Sequence, residues 1–180
     1  MSWMDQWPDD AASGFEVRAL NTVDPAQFRE AMARMGAAVH VVTTAGAAGR
    51  AGFTATAVCS VSDQPPTLLV CLNGRSRGTP VLRENGVFCV NTLGADSEAI
   101  ADMFAGRTGA ALEERFQVGD WITLKTGAPV LRTAVVAFDC RTMEVRPVAT
   151  HNIFFAAIEA IHFGPPVPAL VYHERAYKRV

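Results

Sequence analysis

Between Gly52 and Asn73 the chain gathers Thr54, Thr56, Ser60 and Ser62, then runs through an apolar stretch, residues 68–72, that ends at Asn73. Hydroxyls and a glycine between strand-forming apolar residues suit a polar ligand lying along backbone, above all one that bears a phosphate. They also suit a plain β-hairpin, because threonine favours strands; the segment taken alone leaves both readings open. A second polar focus follows at Asn73-Gly74-Arg75-Ser76-Arg77-Gly78-Thr79-Pro80. It joins an apolar run to a helical pattern, and a helix N-terminus furnished with Ser, Thr and Arg attracts anions. An ordinary capping loop with solvated arginines is the alternative there.

Other reactive side chains narrow the chemistry. His40, His151, His162 and His173 show no HExxH or other metal-ligand spacing. Thr150-His151-Asn152 opens a run, residues 153–157, that is wholly apolar. A histidine at the entrance of a strand either faces a cofactor cleft or sits at a surface turn. Glu113-Glu114 and Asp9-Asp10 are adjacent and project apart, and no Ser-His-Asp or GxSxG arrangement occurs, so hydrolysis has no support. Gly46, Gly49 and Gly52 do not form GxGxxG and are read as turn and close-approach glycines. Cys59, Cys71, Cys89 and Cys140 stand 12, 18 and 51 residues apart, without a CxxC pair. They are expected to be reduced, buried thiols acting as small hydrophobes.

Composition bounds the rest. A chain of 180 residues with 49% hydrophobic and 19% charged residues suits one well-packed domain. A net charge of −2 without a basic cluster gives no electrostatic case for nucleic acid. No apolar run approaches the roughly 18 residues of a membrane span. The first ten residues are acidic and lack the basic and apolar regions of a signal peptide, so the expected location is the cytoplasm.

The elements that must carry these residues follow from pattern. Residues 1–21 have weak periodicity and are read as a flexible extension. Asp24-Pro25 opens a helix with Phe28, Met32 and Met35 on one face, ending at Gly36. Strands are expected over residues 38–44, 50–58, 67–73, 87–93, 121–124, 135–145, 153–161 and 170–173, with a break at Asp63-Gln64-Pro65-Pro66. Helices are expected over 79–85 and 97–104. Such irregular order, rather than strand–helix alternation, predicts a mainly antiparallel β-barrel with peripheral α-helices.

Phe28-Arg29-Glu30-Ala31-Met32, Met35-Gly36-Ala37-Ala38-Val39, Arg50-Ala51-Gly52-Phe53-Thr54-Ala55, Cys59-Ser60-Val61-Ser62, Pro65-Pro66, Cys71-Leu72-Asn73 and Val90-Asn91-Thr92-Leu93 together resemble the flavin reductase-like family. Phe104-Ala105-Gly106, Glu114-Arg115-Phe116, Phe138-Asp139-Cys140 and Thr150-His151 continue the likeness, which covers about residues 24–179. The resemblance implies an FMN-binding split β-barrel over residues 22–180 and transfer of hydride from NADH or NADPH to FMN or FAD. It implies a homodimer, with the flavin site near the subunit interface, and no catalytic side chain or metal. The members it looks most like supply reduced flavin to the monooxygenase that opens the uracil ring. Reductases of aromatic hydroxylases, corrin reductases and non-enzymatic flavin or haem carriers remain alternatives.

Residue by residue, the resemblance sets Gly52, Phe53, Thr54, Ala55, Thr56 and Ser60 beside the flavin, with Cys71, Leu72 and Asn73 flanking the ring. It assigns the phosphate to Ser76 and Thr79, with Arg107 as a further contact, and the nicotinamide to His151 and Tyr172. Thr54, Thr56 and Ser60 are the inward-facing set expected from strand alternation. Relatives often carry a hydroxyl where this chain has Gly78, and many show Gly-Asp where it has Ala149-Thr150.

Overall fold

The computed structural model describes residues 22–180; the extension expected over residues 1–21 lies outside the described residues. The first helix, α1 (Pro25–Ala33), begins as its sequence dictates. Asp24 accepts hydrogen bonds from the amides of Ala26 at 2.7 Å and Gln27 at 3.3 Å, and proline occupies the first turn. Among the described residues Phe28 and Met32 on this helix, and Met35 two residues beyond its end, are all exposed, and the expected helix running to Gly36 stops earlier, at Ala33.

Strands then dominate: β1 (Ala37–Ala38), β2 (His40–Gly46), β3 (Gly49–Ala55), β4 (Val58–Asp63) and β5 (Pro66–Asn73). After α2 (Gly78–Asn85) come β6 (Val87–Thr92), α3 (Glu98–Phe104), β7 (Trp121–Thr123) and β8 (Pro129–Leu131). The long hairpin β9 (Val136–Val148) and β10 (His151–Phe163) and the short pair β11 (Leu170–His173) and β12 (Ala176–Arg179) complete the chain. Seven strands form one antiparallel sheet in the order β3-β2-β6-β9-β10-β5-β4. The edge strands β3 and β4 are consecutive in the chain and separated only by Thr56 and Ala57. Two residues cannot cross the width of a flat seven-stranded sheet, so the sheet curls until its edges meet. The architecture is the split antiparallel barrel that the sequence suggested.

Alternation along the strands divides the core into two clusters. Val42, Val70, Phe88, Val90, Cys140 and Phe154 fill the inside of the curl with Leu82 of α2. Val41, Cys89 and Ala137 face the other way, onto Phe104 of α3, Phe116, Val130 and Leu170. β6, buried along its whole length, serves both. Asn91 pins the outer layer: its amide donates to the Val41 carbonyl at 3.0 Å and the Thr43 hydroxyl at 3.1 Å, and its Oδ1 accepts from the Leu131 amide at 2.7 Å. Buried Asp139 accepts from the amide and hydroxyl of Thr126, anchoring the loop before β8.

Two expectations need correction, and two short strands were not expected at all. The expected strand 50–58 is two: β3 stops at Ala55, and β4 starts at Val58 as a nearly fully exposed edge. Its polar residues hide a strand because only one edge of its backbone is paired. The short strands β8 and β12 carry too few residues for a periodic signal. The cysteines also differ: Cys89 and Cys140 are buried, Cys71 is half-buried, and Cys59, on β4, is exposed.

Burial sets an acid limit to stability. His40, with Nδ1 3.1 Å from the Thr92 hydroxyl, is buried, and desolvation pushes its pKa down to about 4. Below the unfolded value of about 6.5 the unfolded chain takes up a proton that the folded chain refuses. Stability is therefore lost as pH falls from about 6.5 towards 4, by up to about 3 kcal/mol. Urea midpoints measured across this range should fall less steeply for His40→Gln than for the unmodified protein.

Candidate functional site

A cleft of about 400 Å³ opens where the two sheet edges converge. Residues 53–57, the end of β3 and the turn to β4, make one side. Cys71, Leu72 and Asn73 of β5, with Ser76, make the second, and His151 at the start of β10 stands beside Asn73, its register partner. Phe104 and Ala105 at the end of α3, with Arg115, make the third. Among the described residues β3 pairs with β2 alone, so every second amide and carbonyl on its outer edge has no strand partner there. Gly52 marks that edge, because its carbonyl accepts from Arg115 Nη1 at 3.1 Å; alternation directs the backbone of Thr54 the same way.

Each side is held by identifiable bonds. The Ala57 carbonyl accepts from the Cys71 amide at 2.9 Å, joining first and second sides. Asn73 organises its loop, accepting from the Arg75 amide through Oδ1 at 2.9 Å and from the Ser76 amide through its carbonyl at 3.0 Å. The Gly74 amide donates to Thr150 at 2.9 Å, stitching this loop to the turn before His151. Ala149 forms that turn with φ 50°, a left-handed conformation that a residue with a Cβ rarely adopts. The Thr150 hydroxyl lies 2.9 Å from His151 Nδ1 and orients the ring.

Nine of the expected contacts line this cleft: Phe53, Thr54, Ala55, Thr56, Cys71, Leu72, Asn73, Ser76 and His151. Gly52 lies just behind it, buried against Phe104. The Thr54 hydroxyl donates to the Ala101 carbonyl of α3 at 2.6 Å, so it braces the wall as well as lining it. Burial, and then neighbouring Cys59, raise the pKa of Cys71, which presents a neutral thiol. Ser60 is exposed on β4 opposite Leu68 and does not line the cleft. Thr79 is buried and donates its hydroxyl to the Asn73 carbonyl at 2.9 Å, fixing the loop.

Arg107 and Tyr172 line a neighbouring hollow of about 240 Å³ that shares residues 54–56 and Ala105 with the cleft. There Arg107 bonds Asp102 at 2.6 Å and stands 5.6 Å from the Tyr177 ring centre. The Tyr177 hydroxyl donates to the same carboxylate oxygen at 3.0 Å; burial first, and then this bond, push its pKa up to about 12.

Sequence reasoning gave no role to Arg115. Its 3₁₀ turn, Glu114–Gln117, lies far from β3 in the chain, and only the Glu114-Arg115-Phe116 motif marked it. Arg115 Nη1 also donates to the Phe104 carbonyl at 3.0 Å, while its Nε is buried with no hydrogen-bond partner among the described residues. No carboxylate is among the described residues lining the cleft. Free edge amides, hydroxyls and an uncompensated guanidinium fit a flat, polar, anionic cofactor such as a flavin phosphate.

Comparison with known proteins agrees with this fit. Residues 32–180 match the family described as "Flavin reductase like domain". The chain belongs to this family. It is 52% identical over 158 residues to the FMN reductase (NADH) RutF of Escherichia coli O139:H28, covering 88% of this chain and 95% of that one. A crystal structure described as a flavin reductase from Haemophilus somnus 129pt superposes with a TM-score of 0.84 at 46% identity, covering 88% of this chain and all of that one. BorF, the flavin reductase component of a bacterial two-component tryptophan halogenase, gives 0.81 at 29% identity, covering 87% and 98%.

Close packing at Gly52 makes the site sensitive there. A Cβ on Gly52 would lie 2.5 Å from the Phe104 ring and 3.3 Å from the Val42 carbonyl. Gly52→Ala should cost about 1–3 kcal/mol through overpacking and displace Phe104 from the cleft wall. Urea denaturation and titration of flavin fluorescence quenching should show both losses together.

Proposed function

We propose that this chain is an NADH-dependent FMN reductase that supplies reduced flavin to a partner monooxygenase. The observation that carries this reading is the cleft itself, with the free edge of β3 on one side and unopposed Arg115 on another. The relatives named FMN reductase (NADH) support the choice of FMN and NADH. The resemblance to members serving uracil ring opening supports a pyrimidine-degrading monooxygenase as the recipient.

Bound FMN would supply the ring nitrogen that takes hydride from the nicotinamide when the two rings stack. The protein's part is to bind and orient. The backbone of Thr54 presents a donor and an acceptor to the ring edge, and Cys71 and Leu72 give it an apolar flank. Ser76 holds the phosphate arm, with Thr79 fixing the loop that carries it. His151, oriented by Thr150, guides the nicotinamide, and Tyr172 with Arg107 in the adjoining hollow takes the remainder of the dinucleotide. No side chain here needs to move a proton.

A homodimer suits the exposed apolar residues of α1 and the turn after it, where Phe28, Met32 and Met35 border a groove of about 510 Å³ reaching Thr56 and Tyr172. No helix among the described residues is long and apolar enough to cross a membrane. The proposed place of work is the cytoplasm, where NADH is available.

Stopped-flow loss of NADH absorbance with FMN, FAD or a cob(II)alamin acceptor tests the reading. Rapid oxidation with FMN is expected; its absence with every acceptor would leave a carrier rather than an enzyme. His151→Ala should raise KM for NADH about tenfold, equivalent to about 1.4 kcal/mol, while FMN affinity changes less than threefold. An unchanged KM would remove His151 from this role.

A further inference from the structure

Asp102 is not among the residues lining the cleft or the hollow beside it, yet it holds two residues of that hollow in place. It stands on α3 next to buried Ala101. One of its carboxylate oxygens, Oδ1, accepts from two donors that arrive on different elements. Arg107 Nη1 donates at 2.6 Å from the loop after α3, and the Tyr177 hydroxyl donates at 3.0 Å from β12. Tyr172 and Tyr177 are register partners on β11 and β12, and their rings meet edge-on with centres 5.5 Å apart. The Arg107 guanidinium lies 5.6 Å from the Tyr177 ring centre. With side chains 53% and 40% exposed, the Arg107–Asp102 ion pair adds little to stability. Its effect is geometric: one carboxylate fixes a cation and an aromatic ring relative to each other and ties the β11–β12 hairpin to α3.

The hollow so framed has a definite chemistry. Val39, Ala55 and Ala105 give it apolar walls, the two tyrosines add ring surface, and Arg107 is the charged residue in its described lining. Such a lining suits a planar ring that carries an anionic group. Its volume of about 240 Å³ is small beside the roughly 300–1,000 Å³ of sites that enclose a whole ligand of drug size. It therefore holds one half of a dinucleotide and not both. Its described lining includes none of Cys71, Leu72, Asn73 and His151, so the half it suits is the one remote from the nicotinamide. Residues 54–56 and Ala105 belong to hollow and cleft alike, so one extended molecule can occupy the two together. The raised pKa of Tyr177, about 12 through burial and then the bond to Asp102, keeps the phenol a neutral donor to that carboxylate at neutral pH.

We propose that Asp102 is a positioning residue for the reductant: by holding Arg107 and Tyr177 it shapes the hollow to receive the adenosine monophosphate half of NADH while the nicotinamide lies in the cleft. This inference rests on the NADH-dependent reading above. The adenine ring packs on tyrosine, and the phosphate meets the Arg107 guanidinium. Asp102 itself touches no ligand. Without its carboxylate, Arg107 is free to turn to solvent and the half-buried Tyr177 hydroxyl loses its acceptor, so the hollow loses its shape while the cleft keeps its own.

The test compares NADH with reduced nicotinamide mononucleotide, which lacks the adenosine monophosphate half, as reductants of FMN. Asp102→Asn should raise KM for NADH about fivefold with kcat changed less than about twofold, the pattern of lost uniform binding. KM for the mononucleotide should change less than about twofold in the same variant, a split that general damage to the fold would not produce. Tyr177→Phe should raise the ratio of the two KM values in the same direction by about two- to threefold. Adenosine monophosphate should compete with NADH in the unmodified protein and compete more weakly in Asp102→Asn. Equal rises in KM for both reductants, or no rise for NADH, overturn the proposal. FAD carries the same adenosine group, so the assay is repeated with FAD in place of FMN; a loss confined to FAD would give the hollow to the flavin and overturn the assignment to NADH. If Asp102→Asn fails to fold by circular dichroism, the KM ratio in Tyr177→Phe decides. Absence of NADH oxidation by the unmodified protein with every flavin would overturn the functional reading itself, and this inference with it.

Discussion

Everything about the site depends on the two-residue passage from β3 to β4. These strands lie at opposite ends of a seven-stranded sheet, yet Thr56 and Ala57 alone connect them. The chain meets that constraint only by curling the sheet until one edge lies beside the other, and the bond from the Cys71 amide to the Ala57 carbonyl closes the junction. An edge strand ordinarily exposes its amides to water or to another chain. Here the end of β3 is turned toward β5 and β10 instead, so its unspent backbone groups line a cleft. Binding capacity is therefore a consequence of topology before any side chain contributes.

The two core clusters hold this geometry from both sides. Inside the curl, Phe53, Val70, Leu72 and Phe154 set the spacing between β3, β5 and β10. Outside it, Phe104 packs edge-on to Phe116 with ring centres 5.1 Å apart, and Trp121 packs against both. This aromatic group seats the end of α3 on the face of Gly52 and brings the Glu114–Gln117 turn within reach of β3. Arg115 then ties the layers by bonding the carbonyls of Gly52 and Phe104. One set of contacts thus fixes both the shape of the cleft and its charge.

What was legible in the sequence follows from which forces are local. β5, β6 and β10 announce themselves through apolar runs, and α1 through Asp24 and Pro25, because period and capping act over a few residues. The stretch from Gly52 to Thr56 and the turn at Asn73 were visible as polar interruptions between such runs. β4 was not, since an exposed edge strand needs no apolar face. Arg115 could not be read either, because its partners lie 63 and 11 residues away. Ser60 and Thr79 carry the hydroxyls that the pattern favours, but register turns Ser60 outward and the loop claims Thr79 for its own carbonyl.

The most direct test of the central claim, that flavin binds where the sheet edges meet, is an amide chemical-shift titration of the isotope-labelled protein with FMN. The structure predicts the largest shifts at residues 53–57, 71–73, 76, 104–105, 115 and 151, with little change at the distal end of the β9–β10 hairpin. Shifts concentrated along α1 and the β11–β12 pair, with residues 53–57 and 71–73 unmoved, would contradict the account.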